Sequence, residues 1–189
     1  MKNELALDFY QELYRLELDK KEKITQQAQL RFAVLLTVSS ILLYMLKTME
    51  INLNMYVLAL FSLSLLLSFV GMLSAAICAY RVFWGNEYTY LANAMQYEDQ
   101  RQVLIDAYGE TMPDKVDVLW RSLIIESVVA ASESNHQVNL KRQQLMVSFT
   151  KRFNIALIAF VLSGAIFIGL DIDSSSPRKA ISVEVVGKA

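Results

Sequence analysis

Cysteine and histidine are almost absent from this 189-residue chain, which contains one of each, Cys78 and His136. A single cysteine forms no disulfide within one subunit. One cysteine and one histidine also cannot supply the usual ligands of a structural zinc site. The sequence therefore predicts no metal site and no cofactor. Cys78 lies inside an apolar stretch, where an unpaired cysteine is typically a small core residue.

An excess of either charge is also missing, since 18 basic and 19 acidic residues leave a net charge of -1. Nucleic-acid-binding domains usually have a basic excess, so no nucleic-acid partner is predicted. The chain has no glycine-rich phosphate loop, no G-x-S-x-G elbow and no H-E-x-x-H motif, and we predict that it is not an enzyme. A site made of carboxylates alone, such as Asp106, Glu126 and Glu133, stays open.

Apolar stretches, in contrast, are long: 54% of the residues are hydrophobic and the mean hydropathy is +0.33. Three stretches without a charge cover residues 32–46, 55–80 and 153–170. At about 1.5 Å per residue the first covers roughly 22 Å of a hydrocarbon layer about 30 Å thick, so Arg31 and Lys47 have to extend to the headgroups. The sequence predicts an all-α integral membrane protein with three transmembrane helices and a cytoplasmic helical bundle.

The distribution of Lys and Arg predicts the orientation of these helices. Residues 1–31 contain six of them and residues 81–152 contain eight, whereas the loop between the first two apolar stretches contains only Lys47. Cytoplasmic segments carry the excess of basic residues. We therefore expect a cytoplasmic helix at 1–31, a transmembrane hairpin at 32–82, a cytoplasmic helical segment at 83–152, a third span at 153–170 and a periplasmic tail at 171–189.

The first cytoplasmic segment reads as one helix that continues into the first span. Residues 4–30 contain no Gly or Pro, and the pairs Glu17–Lys21 and Asp19–Lys23 have the i, i+4 spacing that supports a helix. An apolar stripe at helical spacing predicts a face that needs a cover. This stripe consists of Leu5, Phe9, Leu13 and Leu16.

The second cytoplasmic segment divides at Gly109 and Pro113, which mark a turn. Before the turn we expect a helix from Asn86 to Tyr108. After it, Asp114 is a candidate cap for a helix that has no breaker before Gly164, and that helix is free to run into the third span.

One polar stripe lies on this last helix: Ser132, Asn135, Asn139 and Arg142 follow one another at helical spacing. Amides and a guanidinium suit the recognition of a phosphate, a nucleotide edge or a protein partner. The structural alternative is a solvated or subunit-facing stripe that hydrogen-bonds neighbouring helices. His136 lies one residue off the stripe and is interpreted as a passive surface residue.

Small residues recur along the second span, and such positions let membrane helices approach closely. They are Ser64, Ser68, Gly71, Ala75 and Ala79. The alternative is that hydroxyl side chains line a pore. These are Thr37, Ser39, Ser40, Ser62 and Ser68. Because no ionisable residue lies inside any span, transport driven by an ion gradient is not expected.

The charged helix ELYRLELDKKEK, a two-span hairpin and the segment SNHQVNLKR together resemble the SLATT-type membrane effectors of bacterial anti-phage operons. The likeness covers the architecture of residues 10 to 150. The third span after Arg152 departs from the two-span pattern and is compatible with another multi-span defence protein, such as the membrane subunit of the Kiwa system. The resemblance implies a homo-oligomer of the bacterial inner membrane that permeabilises the bilayer after a signal from a nucleotide or a partner.

We therefore expect an oligomeric inner-membrane effector of anti-phage defence that forms or gates a pore when its cytoplasmic bundle receives a signal. The alternative is a membrane sensor or scaffold that detects membrane perturbation by phage and recruits a soluble partner from the same operon without conducting ions. Both functions have the lipid bilayer as a partner.

Overall fold

The computed structural model describes residues 2–49 and 54–174, and the side chains from residue 5 onward. Four helices make up this part of the chain, and it contains no β-strand. The all-α fold predicted from the sequence is confirmed. The rest of the predicted tail at 171–189, after residue 174, lies outside the described residues.

Two of the helices are unusually long, because nothing in their sequences interrupts them. Helix α1 runs from Lys2 to Thr48 over 47 residues, and helix α4 runs from Pro113 to Gly169 over 57 residues. Each therefore joins a charged segment to an apolar one without a break, as predicted. Pro113 stands at the first helical position of α4, where proline has no hydrogen bond to lose, and Asp114 lies in the first turn rather than capping it.

Helix α2 covers Met55–Phe83 and ends where Gly85 adopts a positive φ of 74°. The Asn86 side-chain amide then donates to the carbonyls of Arg81, Val82 and Trp84, at 3.1, 2.9 and 3.2 Å. These bonds satisfy acceptors that a helix end leaves open. The predicted helix from Asn86 is consequently wrong in its first part, because residues 86–93 are not helical.

Helix α3 covers only Ala94–Tyr108. Asn93 begins it with a capping box, in which the Asn93 side chain accepts from the Gln96 amide and the Gln96 side chain accepts from the Asn93 amide. Such a cap competes with continued helix on its N-terminal side. The predicted turn after Tyr108 is confirmed, since α4 begins at Pro113.

The chain divides into two compact units, and the first consists of Met1–Ala28 and Arg81–Met146. Its core is formed by Ile24, Ala28, Val82 and Met146 together with buried polar side chains. Helix α3 has no fully buried residue and meets α4 through an edge-on contact of Tyr97 and Trp120. The predicted cover for the Leu5–Leu16 stripe is not found among the described residues, because all four of its side chains are exposed.

The second unit consists of Gln29–Tyr80 and Val147–Ala189. Its core is apolar along most of its length and includes Leu35, Leu42, Phe149 and Ala156. Many large side chains of the same helices point outward, among them Leu63, Phe69 and Ile158, which are 64%, 51% and 72% exposed. Such extensive apolar exposure is unfavourable in water and suits hydrocarbon. Three helices, α1, α2 and α4, are long and apolar enough to cross a membrane.

Buried positions recur every three or four residues along the long helices. On α4 they form one seam. From residue 128 onward its buried members are Val128, Ala131, Asn135, Asn139, Arg142, Met146, Phe149, Ala156, Ala159, Ser163 and Phe167. Three residues of the predicted polar stripe, Asn135, Asn139 and Arg142, are thus part of the inward-facing seam of α4.

Candidate functional site

Asn135 holds the extended segment after α2 in place. Its side chain is fully buried and makes two bonds to one peptide group: Oδ1 accepts from the Thr89 N–H at 2.8 Å, and Nδ2 donates to the Thr89 carbonyl at 2.9 Å. The amide thus acts as a neighbouring strand would in a sheet. These two bonds satisfy the N–H and the carbonyl of Thr89, which lies in the non-helical segment 86–93 and has no helical hydrogen bonds of its own.

Asn139 occupies the next buried position and joins three elements. Its Nδ2 donates to the backbone carbonyl of Glu17 at 2.8 Å and to Glu17 Oε2 at 2.9 Å. Its Oδ1 accepts from the Tyr88 hydroxyl at 2.6 Å. Helix α1, helix α4 and the extended segment are therefore linked through one side chain.

Arg142 is 4% exposed, and all four of its hydrogen bonds go to neutral oxygen atoms. Nε donates to the Val82 carbonyl at 3.0 Å, Nη2 to Thr25 Oγ1 at 2.9 Å, and Nη1 to the Tyr88 hydroxyl at 2.7 Å and the Lys21 carbonyl at 3.5 Å. Val82 lies in the last turn of α2, where the helix dipole favours a cation. The guanidinium thus caps α2 and anchors α1.

Glu17 is the acidic member of this network, although its sequence position predicts only an i, i+4 pair with Lys21. It is 6% exposed and accepts from Lys20 at 2.6 Å, while His136 Nδ1 lies 3.1 Å from the same oxygen. Burial raises the pKa of the Glu17 carboxyl, but the hydrogen bonds from Lys20, Asn139 and His136 outweigh it and hold the pKa below the ordinary value. His136 is therefore a member of the network rather than a passive surface residue.

The predicted pair of Glu17 with Lys21 is not formed. Glu17 pairs with Lys20 instead, and Lys21 donates to the Tyr90 hydroxyl at 2.5 Å. The physical reason is that Glu17 faces Asn139, whereas Lys21 is drawn toward the rings of Tyr88 and Tyr90, whose centroids lie 4.8 and 5.2 Å from Nζ.

Three members of the predicted polar stripe thus come together, and the fourth does not share their burial. Ser132 is only half-buried, whereas Asn135, Asn139 and Arg142 are buried and bonded within the chain. No buried side-chain nitrogen or oxygen in the described part of the chain lacks a hydrogen-bond partner. This favours the structural interpretation for the two amides, since the side-chain nitrogen and oxygen of each already have partners within the chain. Arg142 differs, because it also lines a cavity.

That cavity belongs to the first unit and has a volume of about 300 Å³. Its lining combines two cations, a hydroxyl, an amide and aromatic rings. The lining residues are Lys21, Thr25, Phe83, Asn86, Tyr88, Tyr90 and Arg142. Sequence reasoning found Arg142 and missed the other six, because they come from α1, the end of α2 and the extended segment, which no spacing rule connects.

The small-residue positions of α2 pack inside the second unit. A Cβ on Gly71 would lie 2.7 Å from the Ala156 Cβ, so α2 and α4 approach closely at this point. Ser68 Oγ donates to the Ala156 carbonyl at 3.1 Å, and Ser163 Oγ donates to Ser64 Oγ at 2.9 Å. Ala75 and Ala79 are buried in the same core. These contacts favour helix packing over pore lining for these five positions.

The other hydroxyl side chains differ in exposure. Thr37 and Ser40 are exposed on α1, and each donates to the backbone carbonyl four residues earlier. Ser62 is exposed on α2, and Ser39 is half-buried. Unlike the buried Ser68, the exposed residues Thr37, Ser40 and Ser62 can contact another chain.

No protein family model, curated protein or solved structure matches this chain. Its function has to be argued from geometry. Within the described residues no group of three or more His, Cys, Asp or Glu side chains is arranged to hold a metal ion. The polar network and its cavity in the first unit are therefore the strongest candidate site. The three long apolar helices are the strongest indication of a membrane environment.

Proposed function

We propose that the chain is an oligomeric inner-membrane effector whose cytoplasmic helical unit receives a signal and whose membrane helices form or gate a pore between copies. The single observation that carries this proposal is the continuity of α1 and α4, each of which passes from the polar network into an apolar span without a break. A continuous helix with ends in two environments is a physical route for coupling the polar network to the span. The anti-phage context comes from the resemblance to SLATT-type effectors.

A pore of this kind has to form between chains. Inside one chain the small-residue face of α2 is closed by α4, as the approach of Gly71 to Ala156 indicates. The exposed hydroxyls of Thr37, Ser40 and Ser62 leave polar groups on the outer helix surfaces, and polar groups facing lipid favour association of membrane helices. The proposed orientation keeps both basic segments in the cytoplasm, and the proposed action involves no catalysis.

The coupling through the long helices is tested by substitutions that lower helix stability near the positions where the sequence passes from one unit to the other. Gln29 and Leu30 are exposed on α1, and Gln143 and Gln144 are exposed on α4. Replacing each pair by Gly-Gly lowers helix stability by about 1 kcal/mol per residue relative to Ala-Ala, which serves as the matched control.

Dye release from liposomes and the membrane potential of phage-infected cells are the measurements. We expect the unmodified chain and the Ala-Ala variants to depolarise infected cells and the Gly-Gly variants to fail while still inserting. Equal activity of the Gly-Gly and Ala-Ala variants would contradict coupling through the helices. A chain that stays monomeric at every protein-to-lipid ratio and never releases dye would contradict the pore.

The exposed apolar stripe of α1 favours a second candidate function, a scaffold that recruits a soluble partner. Leu5 and Phe9 are 76% and 60% exposed, and an amphipathic helix of this kind is a common docking element. The expected result is co-purification with the product of a neighbouring gene without a change in membrane potential. Phe9→Gln with Leu13→Gln should abolish it, and Asp8→Asn, on the same helix, should not.

A further inference from the structure

Two positive charges face the cavity of the first unit without a carboxylate to balance them. Lys21 and Arg142 both line it, and neither forms an ion pair with any residue between 5 and 49 or between 54 and 174. On α1, Glu17 is already paired with Lys20 at 2.6 Å, and Asp19 and Glu22, the acidic residues closest to Lys21 in the sequence, are exposed and do not line the cavity. Glu87 lies between two lining residues in the sequence but is not part of the lining.

The burial of Arg142 makes this imbalance costly. A buried guanidinium that meets only neutral acceptors keeps its full charge, and an anion in reach lowers the free energy of such a site. The Lys21 ammonium, in contrast, belongs to a half-buried residue and donates, among the described residues, only to the Tyr90 hydroxyl. The cavity therefore joins a guanidinium held by four hydrogen bonds to an ammonium held by one.

The rest of the lining suits an anion with attached carbon atoms. Tyr88 presents its ring to both cations, with its centroid 4.8 Å from Lys21 Nζ and 5.7 Å from Arg142 Cζ. Thr25 and Asn86 add polar groups, and Phe83 adds an apolar wall. A volume of about 300 Å³ lies at the small end of ligand pockets.

We propose that this cavity binds the phosphate group of a small phosphate-bearing ligand, with Arg142 as the fixed anchor and Lys21 as the second cation. Guanidinium and ammonium groups are the side chains that bind phosphate most strongly, and a phosphate monoester carries nearly two charges at neutral pH, which the two cations match. The group can belong to a phospholipid headgroup or to a soluble phosphate compound. Phe83 ends α2 directly after an apolar span, which places the cavity next to a span end in the sequence.

This inference deepens the proposed function by naming the chemistry of the signal, and it rests on the helical unit being the receiver. It is tested by binding alone, without any measurement of conduction. Binding without dye release would support the phosphate site and contradict the pore. Dye release without binding would support the pore and contradict the phosphate site.

The experiment uses the full chain in detergent and has two arms. The soluble arm titrates inorganic phosphate and ATP and follows thermal unfolding. The lipid arm uses native mass spectrometry with short-chain phosphatidic acid, whose phosphate is a monoester, and with the matching diacylglycerol, which has no phosphate, as the control ligand. Lys21→Met removes one cation and keeps the apolar stem. Lys23→Met removes the same charge from an exposed position of the same helix outside the cavity.

We expect saturable binding in one arm, weakened roughly tenfold to a hundredfold by Lys21→Met, since hydrogen bonds to charged groups are of that strength. Lys23→Met should leave it unchanged, and Lys21→Arg should retain it. Binding in the lipid arm alone would assign the phosphate to a headgroup, and binding in the soluble arm alone would assign it to a soluble compound. The proposal is overturned if neither arm binds, or if Lys21→Met and Lys23→Met lose affinity equally, because simple surface charge would then explain the binding.

Discussion

Replacing Asn135 by alanine should release the segment between α2 and α3. The side chain makes two bonds to the Thr89 peptide group at 2.8 and 2.9 Å and is fully buried. Alanine leaves one donor and one acceptor without partners. Each such loss costs roughly 1–3 kcal/mol when the group stays buried; because both bonds are only part-buried, we expect about 2–4 kcal/mol in total, less than the full sum for two buried groups.

The measurement is hydrogen exchange at the Thr89 amide, because that N–H donates only to Asn135 Oδ1 among the bonds of the described residues. A loss of about 1.4 kcal/mol corresponds to tenfold faster exchange, so the expected acceleration is roughly tenfold or more. Gln137→Ala is the control, since Gln137 is exposed on the same helix and donates only to Glu133.

Asn135→Asp sharpens the test. Its carboxylate keeps an acceptor for the Thr89 N–H but places a second oxygen against the Thr89 carbonyl, to which the Asn135 amide donates. The protection factor of the Thr89 amide, taken relative to the intrinsic exchange rate at each pH, should therefore be low at neutral pH and rise in acid, when the protonated carboxyl donates again. If Asn135→Ala and Gln137→Ala exchange alike at Thr89, the amide does not hold this segment and the description of the network is wrong.

Gly71→Ala should lower the unfolding temperature in detergent by an amount equivalent to about 1–3 kcal/mol, because the added Cβ would lie 2.7 Å from the Cβ of Ala156. Adding Ala156→Gly should restore part of the lost stability, and a double variant no more stable than Gly71→Ala would contradict the close approach. Glu17 has a lowered pKa, so the stability it contributes is present above the unfolded-state pKa near 4.5 and is lost as the pH falls through the lower native value. Acid unfolding curves should show this, Glu17→Gln should flatten them, and an unchanged curve would refute it. Tyr88→Phe removes a hydroxyl bonded to Arg142 and Asn139 and should cost roughly 1–3 kcal/mol in thermal unfolding, whereas the exposed Tyr90→Phe should stay within about 0.5 kcal/mol, and equal effects would contradict the assigned bonds.

The helices were predicted well because long uncharged stretches and the positions of Gly and Pro determine them, and both can be seen in the sequence. Residues 55–80 contain no charge, and no Gly or Pro interrupts residues 4–46, so length and composition decide the outcome. The turn at Pro113 is equally local. The error at Asn86 arose because a helix-compatible sequence was overridden by tertiary bonds, with Asn86 capping α2 and Asn135 holding Thr89.

The candidate site was predicted only on the side of α4. Asn135, Asn139 and Arg142 share a helix, so their spacing reveals a common face. Their partners Glu17 and Tyr88 are separated from them by more than forty residues along the chain. Charge pairs were predicted from i, i+4 spacing alone, and the Glu17–Lys21 pair does not form because Glu17 bonds Lys20 and the buried Asn139 amide, while the Lys21 ammonium donates to the Tyr90 hydroxyl.

A seam with polar members implies that the first unit is built to hold one arrangement. An apolar seam with three- and four-residue spacing tolerates a shift of one helix by a turn, since one apolar side chain replaces another at little cost. Asn139 does not tolerate it, because its amide bonds both the backbone and the side chain of Glu17. A shift of α1 against α4 would leave Glu17, Asn139 and Arg142 buried without partners, at roughly 1–3 kcal/mol for each group. The network therefore sets the axial register of α1 and α4 within this unit, and a ligand that changes that register has to replace these bonds with its own.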